Sequence, residues 1–166
     1  MHRFTGRPSP SQTIRRALIA GVSAGLRSAT PLGVMAAERN DASFRAGWKD
    51  WPLLHSSIGR AALQIGWAGE IVTDKLPSIP PRTEPGPLAG RMTAGAIAGL
   101  AMGSEATGGA AKATSLVAGI GGALAGAYGG TAYRTRVAKA TGLPDLPLAL
   151  LEDFVAYVLA RKAVKG

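Results

Sequence analysis

The stretch that decides the predicted fold is Ala113–Tyr133, ATSLVAGIGGALAGAYGGTAY, which carries no charged side chain. An uncharged apolar run of about 20 residues is long enough to cross the hydrocarbon core of a bilayer as a helix. Within it, Gly122, Gly126 and Gly130 recur at every fourth position and therefore share one helix face. Glycines in such register let two helix backbones approach closely, as membrane helices do. The stretch predicts a membrane-spanning helix with a close-packing face.

Further apolar segments occupy Ala17–Ala37, Ile58–Thr73, Leu88–Gly103 and Leu148–Ala160. Two of them carry glycines at the same helical spacing: Gly21 and Gly25 in the first, and Gly95, Gly99 and Gly103 in the third. The sequence therefore predicts an all-α fold, a polytopic membrane helical bundle of four to five glycine-rich apolar segments. We expect one membrane domain over residues 13–166 after a disordered basic tail over residues 1–12. The expected location is a membrane crossed several times, the cytoplasmic membrane if the source is bacterial.

Composition narrows the function classes. The 166 residues include no cysteine and only two histidines, which excludes disulfides, thiolate metal sites and a histidine-rich metal site. The formal net charge of +9 is typical of proteins that bind nucleic acid or anionic lipid headgroups. No basic helix with interleaved aromatic residues occurs, so we expect a lipid bilayer as partner and no nucleic acid. The mean hydropathy of +0.14 is low for a membrane protein and keeps a soluble alternative open.

A polar interruption divides the first apolar segment at AGLRSATP, residues 24–31. Arg27 is charged, and Pro31 removes a backbone hydrogen bond and kinks or ends a helix. Charged residues at membrane depth are costly and mark functional sites by default. The stretch therefore predicts a broken helix with Arg27, Ser28 and Thr30 at a polar intramembrane site. The alternative is that Arg27 extends to a lipid headgroup from a helix end.

A second polar stretch, GEIVTDKLP, covers residues 69–77 and ends in the helix-breaking Pro77. Glu70 and Asp74 lie four residues apart, so a helix would place both acids on one face beside Lys75. Like charges so placed repel unless a cation or proton joins them. We predict that Arg27, Glu70 and Asp74 meet inside the bundle. The alternative is a purely structural ion pair.

The remaining candidate acid and an internal similarity lie further along the chain. Glu152 lies inside the last apolar segment, Leu148–Ala160, and is either a site residue or a partner of the positive helix end. The segment Gly21–Gly25 resembles Gly122–Gly126, and an acid pair follows each of them. Two inverted half-repeats would build a site at the bilayer midplane. Chance similarity in a chain rich in glycine and alanine is the alternative.

The motifs AGLRSATP, GEIVTDKLP, LAGR at residues 88–91 and LLEDFVAYVLA at residues 150–160 resemble a family of small membrane proteins, domain of unknown function 4126. The resemblance covers nearly the whole chain after about residue 13. It implies a membrane protein and assigns no activity. The residues it emphasises are Arg27, Ser28, Thr30, Pro31, Glu70, Asp74, Lys75 and Pro77.

Three functions stay open at this point. The first is a small transporter or channel-like bundle that passes an unidentified ion or small molecule through the Arg/Glu/Asp cluster. The second is a membrane-embedded enzyme that acts on a lipid phosphate with a carboxylate-bound divalent cation. The third is a structural glycine-zipper membrane scaffold. A second copy of the chain could then be its partner, in a homo-oligomer. The sequence marks no nucleophile, identifies no metal and requires no cofactor, which favours a non-enzymatic role.

Overall fold

The computed structural model describes residues 8–44, 46–73, 81–106, 108–142 and 144–166. Those residues form helices throughout, as the sequence predicts. In chain order these are α1 (Pro10–Leu26), α2 (Thr30–Glu38), a 3₁₀ turn (Gly47–Asp50), α3 (Pro52–His55), α4 (Ser57–Thr73), α5 (Pro85–Gly103), α6 (Gly109–Thr141) and α7 (Asp145–Lys165). The predicted basic tail lies partly outside the described residues, and α1 begins within it at Pro10.

Local chemistry sets the start of α1. The Ser9 hydroxyl accepts a hydrogen bond from the Gln12 backbone N–H at 3.3 Å, and the Gln12 side chain accepts one from the Ser9 N–H at 3.0 Å. This reciprocal pair satisfies two of the amides that a helix leaves unpaired at its N-terminus. Pro10 occupies the first helical turn, where its missing N–H is not needed. The start of α1 is therefore specified by Ser9, Pro10 and Gln12.

Helix α1 packs against α6 at contacts that only small residues allow. A Cβ added at Gly21 would overlap the Gly119 carbonyl, and one added at Gly126 would overlap the Val22 carbonyl. Gly25 similarly faces Ala123. The backbones of α1 and α6 are therefore in direct contact, where side chains normally separate two helices. This close approach increases the dispersion attraction between the two helices. This interface forms the centre of the bundle.

Helix α5 packs on α6 from another side. Gly95 faces the Gly119 carbonyl and Gly99 faces the Ser115 carbonyl, again with no room for a Cβ. The matching glycine spacing of the two helices predicts that the Gly122–Gly130 face meets the Gly95–Gly103 ridge. Gly122 and Gly126 instead meet α1, and Gly119, which the every-fourth-residue pattern from Gly122 passes over, meets α5. The 33-residue helix α6 therefore carries two small-residue faces instead of one.

Larger side chains fill the end of the bundle near the 3₁₀ turn. Trp48 is fully buried in a cluster with Met35, Leu54 and Met102. Lys49 places its ammonium 3.8 Å from the centre of the Phe44 ring, a cation–π contact. Trp48 therefore anchors the α2–α3 connection in the core.

The prediction of a multipass membrane bundle is wrong. Among the described residues only α6 is long and apolar enough to cross a membrane, and a core helix of a soluble protein passes the same test. Helices α1 and α4 fall short in length, since each has 17 residues, about 26 Å of helix, against a hydrocarbon core of about 30 Å. Helices α5 and α7, with 19 and 21 residues, are long enough but not apolar enough. Glycines such as Gly21, Gly25, Gly95 and Gly99 serve contacts between helices. The described residues therefore hold one helix that could span a bilayer, against the four or five that the sequence predicts, and the predicted multipass location is wrong for the same reason.

The predicted inverted half-repeats are also unsupported, as are the transporter and channel interpretations, which required charged residues inside several membrane spans. Gly21–Gly25 and Gly122–Gly126 pack directly against each other across the α1–α6 interface. Two surfaces in mutual contact need the same small residues at the same spacing. Their likeness therefore has a physical cause that involves no duplication.

Candidate functional site at the break between α1 and α2

The polar stretch within the first apolar segment separates two helices. Helix α1 ends at Leu26 and α2 begins at Thr30, so residues 27–29 form the break. Pro31 lies in the first turn of α2, where proline is favoured, and the chain has left helical geometry at Arg27, with φ −143° and ψ 110°. The break thus exposes the carbonyl end of one helix and the amide end of the next within a few ångströms.

Arginines bind the carbonyl end of α1. Arg91, on α5, donates from one guanidinium nitrogen to the Gly25 carbonyl at 3.1 Å and to the Leu26 carbonyl at 2.8 Å. Arg82, which precedes α5, donates to the Leu26 carbonyl at 3.4 Å. The C-terminus of a helix carries partial negative charge and unpaired carbonyls, and cations stabilise both.

A carboxylate binds the amide end of α2. One oxygen of Glu70, on α4, accepts from the Ser28 N–H at 2.7 Å and from the Ser28 hydroxyl at 2.6 Å. Its other oxygen accepts from the Ala29 N–H at 2.7 Å. Arg91 approaches the same carboxylate to 4.0 Å. Glu70 therefore acts as an N-terminal cap supplied by a different helix, since Ala29 at the cap position has no side-chain acceptor.

Helix α7 supplies two more acids. Arg27, whose side chain is 1% exposed, forms an ion pair with Asp153. Glu152, whose side chain is 2% exposed, forms an ion pair with Arg82 through Oε1, and its Oε2 lies 3.8 Å from an Arg134 nitrogen.

Arg134 also connects this region to the exposed start of α7. Its guanidinium hydrogen-bonds Asp145, which holds the pKa of that carboxyl below its usual value. Burial opposes this shift only in part.

The arrangement places positive charge at the negative end of α1 and negative charge at the positive end of α2. Glu70, Glu152 and Asp153 each contact an arginine, and Glu70 also receives three hydrogen bonds. Buried charges paired and hydrogen-bonded in this way hold neighbouring elements in one geometry. The cluster therefore ties α4, α5 and α7 to the break.

Several predicted site residues meet here, with different partners from those expected. Arg27 has its ion pair with Asp153, and Ser28 connects the break to Glu70. Thr30 is buried as the first residue of α2. Asp74, Lys75 and Pro77 lie outside the described residues, so their predicted roles stay predictions.

Sequence reasoning left four contributors out of the site: Arg82, Arg91, Arg134 and Asp153. Arg82 and Arg91 lie 56 and 66 residues from the α1 carbonyls that they bind, and although Arg91 ends the LAGR motif, no spacing rule relates it to Gly25 or Glu70. Asp153 neighbours the selected Glu152, and its one-residue offset along α7 turns it toward the break.

No group of three or more acids and histidines comes together in the ranges that the structure covers, so nothing there supports the divalent-cation alternative.

A separate ion pair ties α1 to the α5–α6 connection, where Arg16 contacts Glu105 at 2.5 Å. Arg16 also donates to the Ala163 and Val164 carbonyls of α7. Burial raises the pKa of Glu105, and the attraction of Arg16 opposes that rise.

Comparisons with known proteins assign no relative. No family model matches the chain, and neither a curated protein nor a solved structure matches it. The resemblance to domain of unknown function 4126 therefore stays a prediction.

Proposed function

We propose that this protein is a lipid-surface-binding scaffold that lays the outward face of α7 on an anionic bilayer, with no helix crossing it. The cluster at the α1–α2 break is the internal support of the scaffold. Its charges are neutralised by one another, and it leaves no group of acids arranged for metal chemistry in the described chain. The binding capacity lies on the surface instead.

The observation that carries the proposal is the outward face of α7, which we define as its exposed apolar and basic residues. The apolar residues are between 40% and 62% exposed: Leu146, Leu150, Leu151, Phe154, Val155 and Val158. The basic residues, Arg161, Lys162 and Lys165, follow on the last turns. At 100° per residue all nine lie within one half of the helix circumference. An apolar stripe that leads into basic residues is typical of helices that lie in a membrane interface.

The two chemistries meet in a shallow groove on α7. The groove has a volume of about 460 Å³ and is lined by Phe154, Tyr157 and Val158 on its apolar side and by the three basic residues on the other. Such a groove offers an apolar wall to an acyl chain and cations to a phosphate. Arg161 and Lys165 contact Glu38 at 3.3 and 3.0 Å, so Lys162 is the basic residue here without an acidic partner in the described chain.

Charge favours an anionic lipid surface over a second copy of the chain. Each molecule carries a formal net charge of +9, so two copies repel before any face makes contact. An anionic leaflet attracts the same charge, with about 1 kcal/mol for each lysine or arginine near the surface. The exposed apolar side chains then add burial in the headgroup region.

Vesicle flotation tests the proposal. The full chain is mixed with vesicles of phosphatidylcholine alone or of phosphatidylcholine with phosphatidylglycerol, at low and high salt. We expect the protein to float with the anionic vesicles and to be released by salt, because exposed charges are screened. Equal binding to neutral vesicles, or no binding to either, would refute the proposal.

Matched variants locate the binding face. Phe154→Ser removes an exposed ring from the outward face, and Val117→Ser removes a side chain that is 64% exposed on α6. Lys162→Glu reverses a charge on the face, and Lys139→Glu reverses one at the end of α6. We expect only the two α7 variants to weaken flotation. Equal losses from all four variants would show that binding does not depend on this face.

A further inference from the structure

Helix α4 is attached to the bundle along one side only. Gly59 is the only one of its 17 residues that is buried. On the same side Trp67 packs over Gly33 of α2, where a Cβ would overlap the indole, and Glu70 caps the start of α2. At about 100° per residue these three α4 positions fall within one quarter of the helix circumference. Most of the remaining circumference is exposed.

The exposed side of α4 carries the most exposed large apolar side chains of the described chain. Ile58, Ile65 and Val72 are 81%, 72% and 66% exposed, more than any other. They are seven residues apart, so they lie almost in one line along the helix, with the exposed Ala61 and Ala68 between them. We call these five residues the outward face of α4. Contiguous exposed apolar side chains mark sites of contact with a protein or a membrane.

This face carries no charge. The two charged residues of α4 bind backbone groups elsewhere: Arg60 donates to the Leu54 and His55 carbonyls at 3.0 and 2.8 Å, and Glu70 accepts from the α1–α2 break. The outward face of α7, by contrast, combines apolar residues with basic ones. The partner of the α4 face therefore needs to offer apolar surface and no particular charge.

The dimensions of the face favour a bilayer over a second copy of the chain. A helix of 17 residues is about 26 Å long and about 10 Å wide, well below the roughly 800 Å² that each partner buries in a stable protein interface. The repeat from Ile58 to Val72 covers about two heptads with alanine at alternate positions, whereas a coiled coil needs about three to four. Two copies, each with a formal net charge of +9, also repel each other. A bilayer accepts an apolar helix face without a matching helix.

Helix α4 borders the groove on α7. The Trp67 ring stacks on the Tyr157 ring, with 6.1 Å between the ring centres, and Tyr157 lines that groove. Tryptophan and tyrosine are enriched where membrane proteins meet the headgroup layer. We propose that the outward face of α4 is a second membrane-contacting surface, which enters the anionic bilayer beside α7. This inference rests on the proposed function: the basic residues of α7 attract the bilayer, and the uncharged face of α4 adds apolar burial.

Fluorescence from single labelled positions tests the proposal. The natural chain has no cysteine, so Ile65→Cys, Phe154→Cys and Val117→Cys each provide one labelling position, on α4, α7 and α6. A nitrobenzoxadiazole label emits at shorter wavelength when water is excluded from it. On addition of vesicles of phosphatidylcholine with phosphatidylglycerol, we expect the emission at residues 65 and 154 to shift by similar amounts. The emission at residue 117 should stay constant.

The three positions separate this inference from the proposed function. A shift at Phe154→Cys without one at Ile65→Cys would refute the α4 surface and leave the proposed function intact. A shift at Ile65→Cys alone, or at none of the positions, would refute the proposed function and the joint insertion of α4 and α7 with it. Equal shifts at all three positions would show contact that depends on no particular face, which also overturns the proposal. A shift at Ile65→Cys that grows with protein concentration without vesicles would assign the face to a second copy and refute the bilayer.

Two further variants of the exposed Ile65 measure what the face contributes to binding. Ile65→Ser should weaken binding of the full chain to the anionic vesicles by about threefold to tenfold, as for half-burial of an isoleucine side chain. Ile65→Leu keeps the apolar area and should bind as the natural chain does. Equal affinities of Ile65→Ser and Ile65→Leu would overturn the proposal.

Discussion

Replacement of Glu70 by glutamine should destabilise the protein by about 3 kcal/mol, through loss of the cap on α2. Glutamine keeps the size of the side chain and loses its charge. Its single oxygen can still accept from Ser28, but its NH₂ group then faces the Ala29 N–H, which loses its acceptor. An unsatisfied buried donor costs about 1–3 kcal/mol, and each bond that loses its charged partner weakens by about 1 kcal/mol. For the Ala29 N–H the lower end of the range of about 1–3 kcal/mol applies, because the Glu70 side chain is 13% exposed. Together with the two weakened bonds from Ser28, this gives about 3 kcal/mol.

Urea denaturation followed by circular dichroism measures this loss directly. Glu84→Gln is the matched control, because Glu84 occupies the N-cap position of α5 and makes no side-chain capping bond there. We expect the control to change the free energy of unfolding by less than about 0.5 kcal/mol, as for ordinary surface substitutions. A double-mutant cycle of Glu70→Gln with Ser28→Ala should show a coupling of about 1 kcal/mol, because the two side chains share a hydrogen bond.

The reasoning fails if Glu70→Gln unfolds at the same urea concentration as the natural chain. It also fails if the coupling with Ser28 is zero, because the loss would then come from somewhere other than the cap. A large loss in Glu84→Gln would show that any removed negative charge destabilises this basic protein.

The small-residue interface and a buried acid give two more predictions. Gly126→Ala should lower the free energy of unfolding by more than about 2 kcal/mol, because the new methyl group overlaps the α1 backbone. Gly121→Ala, where a Cβ meets no atom, should raise the free energy of unfolding by up to about 1 kcal/mol. Equal urea midpoints for the two variants would refute the packing. NMR titration should place the pKa of Glu105 above its ordinary value of 4.5, and Arg16→Gln should raise it further, since Arg16 opposes the shift. Because the folded state holds the Glu105 proton more tightly than the unfolded chain does, the contribution of Glu105 to stability is most favourable below pH 4.5 and declines as the pH rises through the folded pKa. A lower pKa of Glu105 in Arg16→Gln would contradict this prediction.

The sequence was informative about local structure and much less so about what surrounds it. The break at Arg27 and the helices on either side follow from proline chemistry and apolar runs, both of which are local. The membrane interpretation failed because glycine and alanine at helical spacing are found in two different settings. They occur where helices touch lipid-embedded neighbours, and they also occur, as at Gly21 and Gly119, where helices touch within a bundle.

The candidate site illustrates the same limit. Glu70 and Arg27 stood out because a charge in an apolar segment needs an explanation. The explanation turned out to be Ser28, Arg91 and Asp153, which come from the break, from α5 and from α7. No spacing rule links them, since their proximity results from how α4, α5 and α7 pack around the break. The stripe on α7 was similarly hidden, because the opposite face of that helix is also apolar and buried.

The α1–α6 interface has a consequence for synthesis on the ribosome. Gly21 meets Gly119, so roughly a hundred residues must be translated before the first helix can find its partner, which takes on the order of 5–20 seconds. During that interval α1 presents Ala17, Ala20 and Ala24 to water without cover. Such delayed long-range pairing slows folding and leaves nascent chains open to wrong associations. Because these α1 side chains are small, the apolar area exposed during translation is limited. The residues that allow close packing in the folded protein therefore also reduce aggregation of the nascent chain.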